Sequence, residues 1–411
     1  MEKIAIIGAG VSGLTIGKLL LEKGYDVTIF EARKQIGGRL KEAFVNGYAI
    51  DLGGQWLHQI DDKKNSLIDL INTTGAVFQL DEYEEVICNG RHDYYLDVPE
   101  IFERFLNYMK TLELKEDESV FESLRKFTDD PFMYSYIEAF LADMAAGSRN
   151  YSSKKFKENL ATFKPTDYAL RDKTMANTVL EYYNNILQNY IKVNTPVKTI
   201  SYINDDVRIS TLKGEEYSFS QCIISVPISQ LKTDKINFVP VLPSEKREAF
   251  HKIGFGKGVK VLLFFSNNIL DKSYFNLEYA PYYIQKTLKG KEPIYVIYTL
   301  LFGDYAERYY HNPENIKENI FKELSALSNS NIKDSNIKDS LIEAVYQDWS
   351  SEEYIEGTYS FPLPNEDNVR IIAAEPIDNK LFFIGEAMNQ NSEYGFIHGA
   401  MDTAISLAKK F

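Results

Sequence analysis

A strand–turn–helix–strand unit at the start of the chain constrains its fold more than any other feature. Residues 3–7 form an apolar run of strand length, and residues 8–13, Gly-Ala-Gly-Val-Ser-Gly, follow with the G-x-G-x-x-G spacing. A helical pattern from Leu14 stops at Gly24, and a second apolar run covers Asp26–Phe30. The glycine pattern indicates dinucleotide binding only in this order of elements. The sequence therefore predicts an α/β protein with a Rossmann-type parallel sheet, and it leaves NAD and FAD open as ligands.

The three glycines of the turn and one later acid have separate physical tasks. Gly8 makes the tight turn, Gly10 lets the backbone approach a pyrophosphate, and Gly13 allows close packing of helix against sheet. The free N–H groups at the start of the helix face the phosphate, where the helix dipole favours negative charge. Glu31 lies 18 residues after Gly13, at the distance where an acid accepts hydrogen bonds from a ribose diol.

Composition and charge exclude several classes of protein. The 46 basic and 59 acidic residues give a net charge of −13, which argues against nucleic-acid or anionic-membrane partners. Two cysteines, Cys88 and Cys222, make neither a disulfide framework nor a metal cluster. The first strand begins at Lys3, which leaves no room for a leader, and no apolar run is long enough to span a bilayer. We expect a cytoplasmic protein that is a monomer or a homodimer. We also expect it to hold no metal and to act on a small molecule.

Changes in composition along the chain predict two interleaved domains. Strand and turn patterns place residues 1–78, 166–240 and 346–411 in the dinucleotide-binding domain. The segment 79–165, which is helical and rich in aromatic residues, and the segment 241–345 form a second, substrate domain of mixed sheet and helices. Neither domain is continuous in the sequence.

Two helices and one loop are predicted from local signals. Residues 66–74 have a helical pattern that ends at Gly75, and Asn312-Pro313 is a cap-then-proline start for a helix that runs to Leu327. The short polar repeat Asn-Ile-Lys-Asp-Ser occurs twice in residues 331–340, which favours a solvated loop.

Several separated segments of the chain resemble the flavin-containing amine oxidase family, which includes monoamine oxidases, polyamine oxidases and flavin-dependent histone lysine demethylases. They are Glu31-Ala32-Arg33, Gly37-Gly38-Arg39, Asn194-Thr195-Pro196-Val197, Ile253-Gly254-Phe255-Gly256 before Lys260, Trp349 with Gly357-Thr358-Tyr359, Gly385-Glu386, and His398-Gly399-Ala400. These segments occur in the family's order along the whole chain. The resemblance implies that the dinucleotide-binding domain is an FAD-binding domain of the Rossmann type.

The resemblance also implies which residues contact FAD. Arg33 would contact the adenosine ribose or phosphate, Val197 the adenine, and Glu386 a ribityl hydroxyl, while the start of the last helix faces the flavin pyrimidine. Each of these residues also has a simpler interpretation. Val197 would be an ordinary strand residue, Arg33 would form a surface ion pair, and Gly385-Glu386 would be a plain turn. The implied set is Gly8, Gly10, Val11, Ser12, Gly13, Glu31, Ala32, Arg33, Gly38, Arg39, Leu40, Gly54, Gln55, Trp56, Val197, Trp349, Gly385, Glu386, Gly395, Phe396 and Ile397.

Lys260 is the most informative single residue after the glycine turn. It lies inside the apolar run Val259–Leu263, where a lysine is costly without a partner. The resemblance implies that it holds a water against flavin N5 and assists proton handling or the approach of oxygen. The alternative is a lysine on an edge strand that points to solvent.

Two aromatic residues match the pair that flanks the substrate nitrogen in the family. They are Tyr359 and Phe396, and their ring faces would guide an amine and exclude water. Simple core packing is the alternative for each. Thr358 stands where monoamine oxidases attach their flavin through a cysteine, and it cannot form that thioether. The resemblance therefore implies non-covalent FAD.

The function implied by the resemblance is oxidation of an amine. A hydride equivalent would pass from the α-carbon of a neutral amine to the flavin, and molecular oxygen would reoxidise the flavin with release of hydrogen peroxide. Lys260, Tyr359 and Phe396 would be the catalytic residues. Three alternatives stay open: a desaturase or protoporphyrinogen-oxidase-like flavoenzyme, an FAD-binding partner protein without turnover, and an NAD-dependent dehydrogenase.

Overall fold

A parallel sheet and a large mixed sheet organise the part of the chain that the computed structural model describes, residues 2–58, 65–90, 94–95, 98–162, 167–288, 292–328 and 334–411. The parallel sheet confirms the predicted Rossmann-type α/β fold, although three of its five strands, Ile191–Lys192, Gln221–Ile224 and Leu381–Phe383, come from parts of the chain far beyond the glycine turn. Its strand order is Ile191–Lys192, Asp26–Phe30, Lys3–Ile7, Gln221–Ile224 and Leu381–Phe383.

Both faces of the parallel sheet are covered, which explains why its strands are continuous apolar runs. Helices pack on one face, namely Val11–Glu22, Ser66–Thr74, Met175–Leu187 and Ile397–Ala408. The other face packs on a small sheet of Glu216–Phe219, Val207–Thr211, Val197–Ser201 and Asn237–Val239, with helices Ile228–Lys232, Ser244–Lys252 and Val369–Ala374.

The mixed sheet forms the second half of the molecule. Its strand order is Leu341–Asp348, Gly258–Phe265, Ile294–Phe302, Tyr282–Leu288, Ser273–Phe275, Glu85–Cys88 and Tyr94–Tyr95. The strand Gly258–Phe265 pairs with a neighbour on each side, and all eight of its residues are buried. This strand is therefore central, and Lys260 lies within it.

The remaining elements surround these two sheets. Helices Val98–Thr111, Val120–Phe127, Pro131–Ala142 and Ser153–Thr162 share a core of their own, and Asp304–His311, Pro313–Leu327 and Asp334–Ser340 cover the mixed sheet. Short strands and 3₁₀ turns complete the chain: Glu42–Val45, Tyr48–Asp51, Trp56–His58, Phe78–Leu80, Asp167–Leu170, Gln188–Tyr190, Ile253–Phe255, Ser360–Pro362 and Glu386–Met388. No helix among the described residues is long and apolar enough to cross a membrane.

The predicted helices are confirmed, whereas the predicted loop is wrong in its second half. The helices are Ser66–Thr74 and Pro313–Leu327, and the side chain of Asn312 accepts a hydrogen bond from the Asn315 N–H, at 3.2 Å. Asp334–Ser340 is a helix rather than a loop, while 329–333 lie outside the described residues. Ile337 explains the difference because it is fully buried in the core beside the mixed sheet, a tertiary contact that a polar repeat does not reveal.

A buried carboxylate on one of these helices attaches it to a neighbouring turn. The Glu323 carboxylate accepts hydrogen bonds from the N–H groups of Glu278 and Tyr279, at 3.0 and 3.4 Å, and from the Tyr283 hydroxyl, at 2.8 Å. Burial raises the pKa of Glu323 to about 7, because it outweighs these hydrogen bonds, which lower the pKa. The folded chain therefore holds a proton at Glu323 more tightly than the unfolded chain does.

This raised pKa makes stability depend on pH with a defined sign. The contribution of Glu323 is complete below the unfolded pKa of about 4.5 and is lost as the pH rises through about 7. We expect Glu323→Gln to remove this dependence. Raising the pH from about 5 to about 8 should then cost the unmodified protein up to about 3 kcal/mol more unfolding free energy than the variant. Urea unfolding of both proteins at both pH values measures this difference, and equal losses would contradict the assignment.

Candidate functional site

One cavity of about 980 Å³ is lined by both halves of the molecule. All but one of the residues that the sequence implicates in binding or catalysis line it, the exception being Gly13. Residues from both ends of the chain thus meet at one place, together with the central strand of the mixed sheet. Among the described residues, no cluster of three or more His, Cys, Asp or Glu side chains is arranged to hold a metal ion.

The three glycines of the glycine turn differ in their steric surroundings. Gly8 has a φ of +103°, which favours glycine. A Cβ on Gly13 would lie 2.1 Å from the Gly8 carbonyl oxygen and 2.6 Å from Ser225 Oγ, so Gly13 is needed for packing behind the turn. A Cβ on Gly10 would meet no atom of the described residues within 4 Å. The space above Gly10 is therefore open to the cavity.

The Glu31 carboxylate is buried and held by backbone groups. One oxygen accepts from the Ala9 N–H at 2.8 Å and the other from the Arg33 N–H at 2.9 Å. Burial raises the pKa of Glu31 more than these hydrogen bonds lower it. The carboxylate therefore lies in a fixed position at the end of the second strand, beside the glycine turn.

Arg33 is held by a carboxylate that the sequence pattern did not single out. Its guanidinium contacts Glu352 at 2.7 Å and the Gly38 carbonyl oxygen at 3.0 Å, and Lys41 reaches the second Glu352 oxygen at 2.9 Å. Burial raises the pKa of Glu352, but hydrogen bonds from Lys41 and Gln347 and the charge of Arg33 bring it below its ordinary value. Glu352 therefore positions two cations, Arg33 and Lys41, beside the cavity.

The Glu386 carboxylate is nearly buried and connects distant segments. One oxygen contacts Arg39 at 2.9 Å, and the other accepts from the Ser360 hydroxyl at 2.6 Å and the Gly395 N–H at 2.9 Å. The same Arg39 nitrogen donates to the Thr358 carbonyl oxygen at 2.7 Å. Burial alone would raise the pKa of Glu386, but the Arg39 charge and these hydrogen bonds lower it. Glu386 is therefore ionised, and it fixes the segment that leads into the last helix.

Lys260 does not point to solvent, so the edge-strand alternative is wrong. Its side chain is buried, and Nζ donates to the Asp51 carbonyl oxygen at 2.8 Å and to the Gln55 side-chain oxygen. Burial lowers the pKa of Lys260, whereas the nearby Asp51 carboxylate raises it. Nζ lies 5.8 Å from the Trp56 ring. The ammonium group therefore lies among backbone and amide oxygens at the wall of the cavity.

Asp51 is a structural residue of the site that sequence reasoning missed. Its carboxylate accepts from the first two N–H groups of the helix Met175–Leu187, those of Met175 and Ala176, at 2.8 and 2.9 Å. Thr174 caps the same helix by accepting from the Asn177 N–H at 3.0 Å. The start of this helix is thus supported by two side chains.

Tyr359 lies on the cavity wall with its hydroxyl group fixed. The hydroxyl donates to the Asp143 carbonyl oxygen, and its ring meets the Phe302 ring edge-on, with centroids 5.8 Å apart. A Cβ on Gly395 would lie 3.2 Å from the Tyr359 ring. Glycine at this position therefore leaves room for the ring beside the start of the last helix.

Phe396 packs against two imidazole rings. Its ring centroid is 4.8 Å from that of His58 and 5.2 Å from that of His398, and each histidine contacts an acid: His58 with Asp167 at 2.6 Å and His398 with Glu393 at 2.9 Å. Phe396 thus contacts two histidine rings and still lines the cavity. No sequence pattern had singled out His58 or Asp167.

The two helices that begin at the cavity fit a group with negative charge. The helix Val11–Glu22 begins after Gly10 and Ile397–Ala408 after Phe396, and no side chain among the described residues caps either start. Their first N–H groups and their dipoles are therefore available to an anion. The buried Thr358 hydroxyl, which also lines the cavity, has no hydrogen-bond partner among the described residues. These three features, the open space above Gly10, the free helix starts and the unpartnered Thr358 hydroxyl, all lie at one cavity. Together they suit a dinucleotide that carries a polar ring system.

Comparisons with known proteins agree with this fit. Residues 11–410 match the sequence profile of a family described as "Flavin containing amine oxidoreductase". Polyamine oxidase 4 of Oryza sativa subsp. japonica is 26% identical, with 98% of this chain and 87% of the relative covered. Polyamine oxidase 2 of Arabidopsis thaliana is 23% identical, with 99% and 87% covered. These matches confirm the resemblance seen in the separated motifs.

Solved structures show the same fold. A putrescine oxidase with putrescine bound has a TM-score of 0.83 at 18% identity, with 100% of this chain and 98% of that chain covered. Cyclohexylamine oxidase from Brevibacterium oxydans IH-35A also has a TM-score of 0.83, at 16% identity, with 100% and 99% covered.

Proposed function

The chain belongs to the family of flavin-containing amine oxidoreductases, and we propose that it oxidises a small amine with non-covalently bound FAD. Family membership excludes an NAD-dependent dehydrogenase. The observation that carries the proposal is one cavity lined by the glycine turn, buried Lys260, and the rings of Tyr359 and Phe396. A cofactor site and a substrate site are thereby in direct contact.

Each end of the cofactor has residues that would hold it. We propose that the pyrophosphate lies over Gly10 at the uncapped helix start, that Glu31 accepts from the adenosine ribose, and that Arg33 contacts the adenosine side. Val197 would contact adenine through its backbone, and Glu386 would accept from the ribityl chain. The other implied residues, Gly8, Val11, Ser12, Ala32, Gly38, Arg39, Leu40, Gly54, Gln55, Trp56, Trp349, Gly385, Gly395 and Ile397, line the same cavity, and Gly13 packs behind it.

The substrate amine would lie between Tyr359 and Phe396. Because both rings are held by neighbours, the chain offers a preformed apolar slot that excludes water and aligns the amine. FAD supplies the acceptor for two electrons, and we propose molecular oxygen as the final oxidant, with hydrogen peroxide released. We assign Lys260 to proton handling at the flavin edge, because its lowered pKa and its amide and carbonyl partners suit a group that exchanges protons.

The amine oxidase proposal predicts that an amine bleaches the enzyme-bound flavin. The purified holoenzyme should be mixed without oxygen with a panel of monoamines, diamines, polyamines and amino acids while the flavin absorption is recorded. At least one amine should reduce the flavin within the time of a normal turnover. If none does, the amine oxidase assignment is wrong, and a partner protein without turnover or a desaturase becomes the better account.

A pair of glycine variants tests where the pyrophosphate lies. Gly10→Ala meets nothing in the protein, so we expect an unchanged fold but at least about tenfold weaker FAD binding, because the methyl group occupies the open space. Gly13→Ala should instead destabilise the fold itself by ~1–3 kcal/mol, since its methyl group meets the Gly8 carbonyl oxygen. FAD titration and thermal unfolding separate the two effects. Normal FAD binding by Gly10→Ala would place the phosphates elsewhere.

A lysine variant tests the role given to Lys260. Lys260→Met should slow reoxidation of the reduced enzyme by oxygen by about tenfold or more, or ~1.4 kcal/mol in barrier, while the anaerobic reduction step changes little. Lys246→Met is the matched control, because Lys246 is also buried on two carbonyl oxygens but does not line the cavity. Stopped-flow measurements of both half-reactions give the answer. Unchanged reoxidation in Lys260→Met would refute the role.

A further inference from the structure

Arg370 is a buried arginine that lies behind the wall of the cavity. It belongs to the helix Val369–Ala374, is 6% exposed and does not line the cavity. Its Nε atom donates to the carboxylate of Glu366, which also accepts from the Leu363 N–H at 2.9 Å. A buried ion pair is costly to desolvate unless further hydrogen bonds compensate it. The other contacts of Arg370 therefore indicate what the arginine does.

These other contacts reach three segments that border the cavity. Nη1 donates to the Ser360 hydroxyl oxygen at 3.0 Å and to the Ala387 carbonyl oxygen at 2.9 Å. The guanidinium carbon lies 4.1 Å from the centre of the Tyr394 ring, which is a cation–π contact. The contacted residues lie within two positions of three residues assigned to the site, namely Tyr359, Glu386 and Phe396.

The contact with Arg370 decides where the Ser360 hydroxyl points. A guanidinium can only donate hydrogen bonds, so the Ser360 oxygen is the acceptor in this contact. The single proton of the hydroxyl is then directed to the Glu386 carboxylate, whose Oε2 atom lies 2.6 Å away. Arg370 therefore supplies Glu386 with a donor through Ser360.

The two oxygens of Glu386 consequently have different surroundings. Oε2 accepts from the Ser360 hydroxyl, from the Ser360 N–H at 3.3 Å and from the Gly395 N–H at 2.9 Å. Oε1 contacts Arg39, which lines the cavity, at 2.9 Å. With Oε2 held by three donors the carboxylate has a fixed orientation. Oε1 is then the oxygen that remains for a hydroxyl of a ligand.

The charge of Glu386 depends on two arginines, one on each side of it. Burial raises the pKa of Glu386, but the charge of Arg39, the hydrogen bonds from Ser360 and Arg39, and the charge of Arg370 bring it below its ordinary value. Loss of Arg370 would therefore make the carboxylate easier to protonate. The other ionisable side chains on or beside the elements packed against Glu386 are Tyr359, Glu366, Glu393, Tyr394, His398 and Asp402.

We propose that Arg370 is a positioning residue for FAD, which acts from outside the cavity. Through Ser360 it holds the Glu386 carboxylate ionised and oriented as an acceptor for the ribityl chain. This inference rests on the proposed function for the identity of the cofactor. It adds a residue that no short motif of the sequence indicates and that does not itself contact the cavity.

A double variant tests this role without leaving an unpaired buried acid. Arg370→Met alone would strand Glu366 in the interior and destabilise the chain, so it is combined with Glu366→Gln and compared with Glu366→Gln alone. Equilibrium dialysis of each holoenzyme gives the Kd of FAD at pH 8 and pH 6. Between these values the double variant should lose at least about fivefold more affinity than Glu366→Gln, because Glu386 then takes up a proton and no longer accepts.

Two further variants separate positioning from a merely structural role. Arg370→Lys keeps a cation and a donor and should restore the pH response of the unmodified holoenzyme. Lys246→Met is the matched control, because Lys246 is buried, donates to two carbonyl oxygens of the same helix, and lies 4.3 Å from the Phe383 ring. It should lower thermal stability and leave the pH response of FAD binding unchanged.

The outcomes distinguish this inference from the proposed amine oxidation, because no amine is present in the measurement. A double variant whose FAD affinity responds to pH as that of Glu366→Gln does would overturn the role of Arg370. The same enhanced response in Lys246→Met, or no rescue by Arg370→Lys, would overturn it as well. A holoenzyme that no amine reduces but that shows the expected FAD affinities would refute only the oxidase assignment.

Discussion

Asp51 joins the two halves of this molecule through both its backbone and its side chain. Its carboxylate accepts the first N–H groups of the helix Met175–Leu187, which covers the parallel sheet, while its carbonyl oxygen accepts from Lys260 in the centre of the mixed sheet. The position of the buried lysine relative to the glycine turn therefore depends on one residue at the end of a short hairpin. Burial raises the pKa of Asp51, so its neighbouring donors are needed to keep it ionised.

The carboxylates around the cavity differ in what balances them. Glu386 has Arg39 and two further donors, and Glu31 has two backbone N–H groups, so each of these acids is held without any ligand. Asp143 has one tyrosine hydroxyl and faces other acids. The fold itself therefore supplies most of the partners of Glu31 and Glu386. Asp143 has fewer donors among the described residues.

The sequence could indicate the residues around the glycine turn because local rules govern them. A glycine that must turn or pack, an acid at the end of the second strand, and a lysine in an apolar strand are all visible as patterns in one dimension. The Rossmann-type sheet and the helices Ser66–Thr74 and Pro313–Leu327 were predicted for the same reason. The five domain bounds remain predictions.

Other acids of the cavity wall could not be predicted because no short pattern carries them. Asp143, Asp167 and Glu85 lie on separate elements and line one cavity only in the folded chain. No sequence pattern indicated the role of Glu352, because its cationic partners, Arg33 and Lys41, are more than three hundred residues away. The helix Asp334–Ser340 was missed for a similar reason, since Ile337 becomes buried only through tertiary contacts.

The two uncapped helix starts have a consequence for the life of the protein in the cell. The helices Val11–Glu22 and Ile397–Ala408 pack in one core and both begin at the cavity, so both of their positive ends face the same cavity. That arrangement is unfavourable until an anion is present. A ligand that binds only the folded chain adds to its stability in proportion to its free concentration. Supply of the cofactor would then set how much of the newly made chain survives proteolysis.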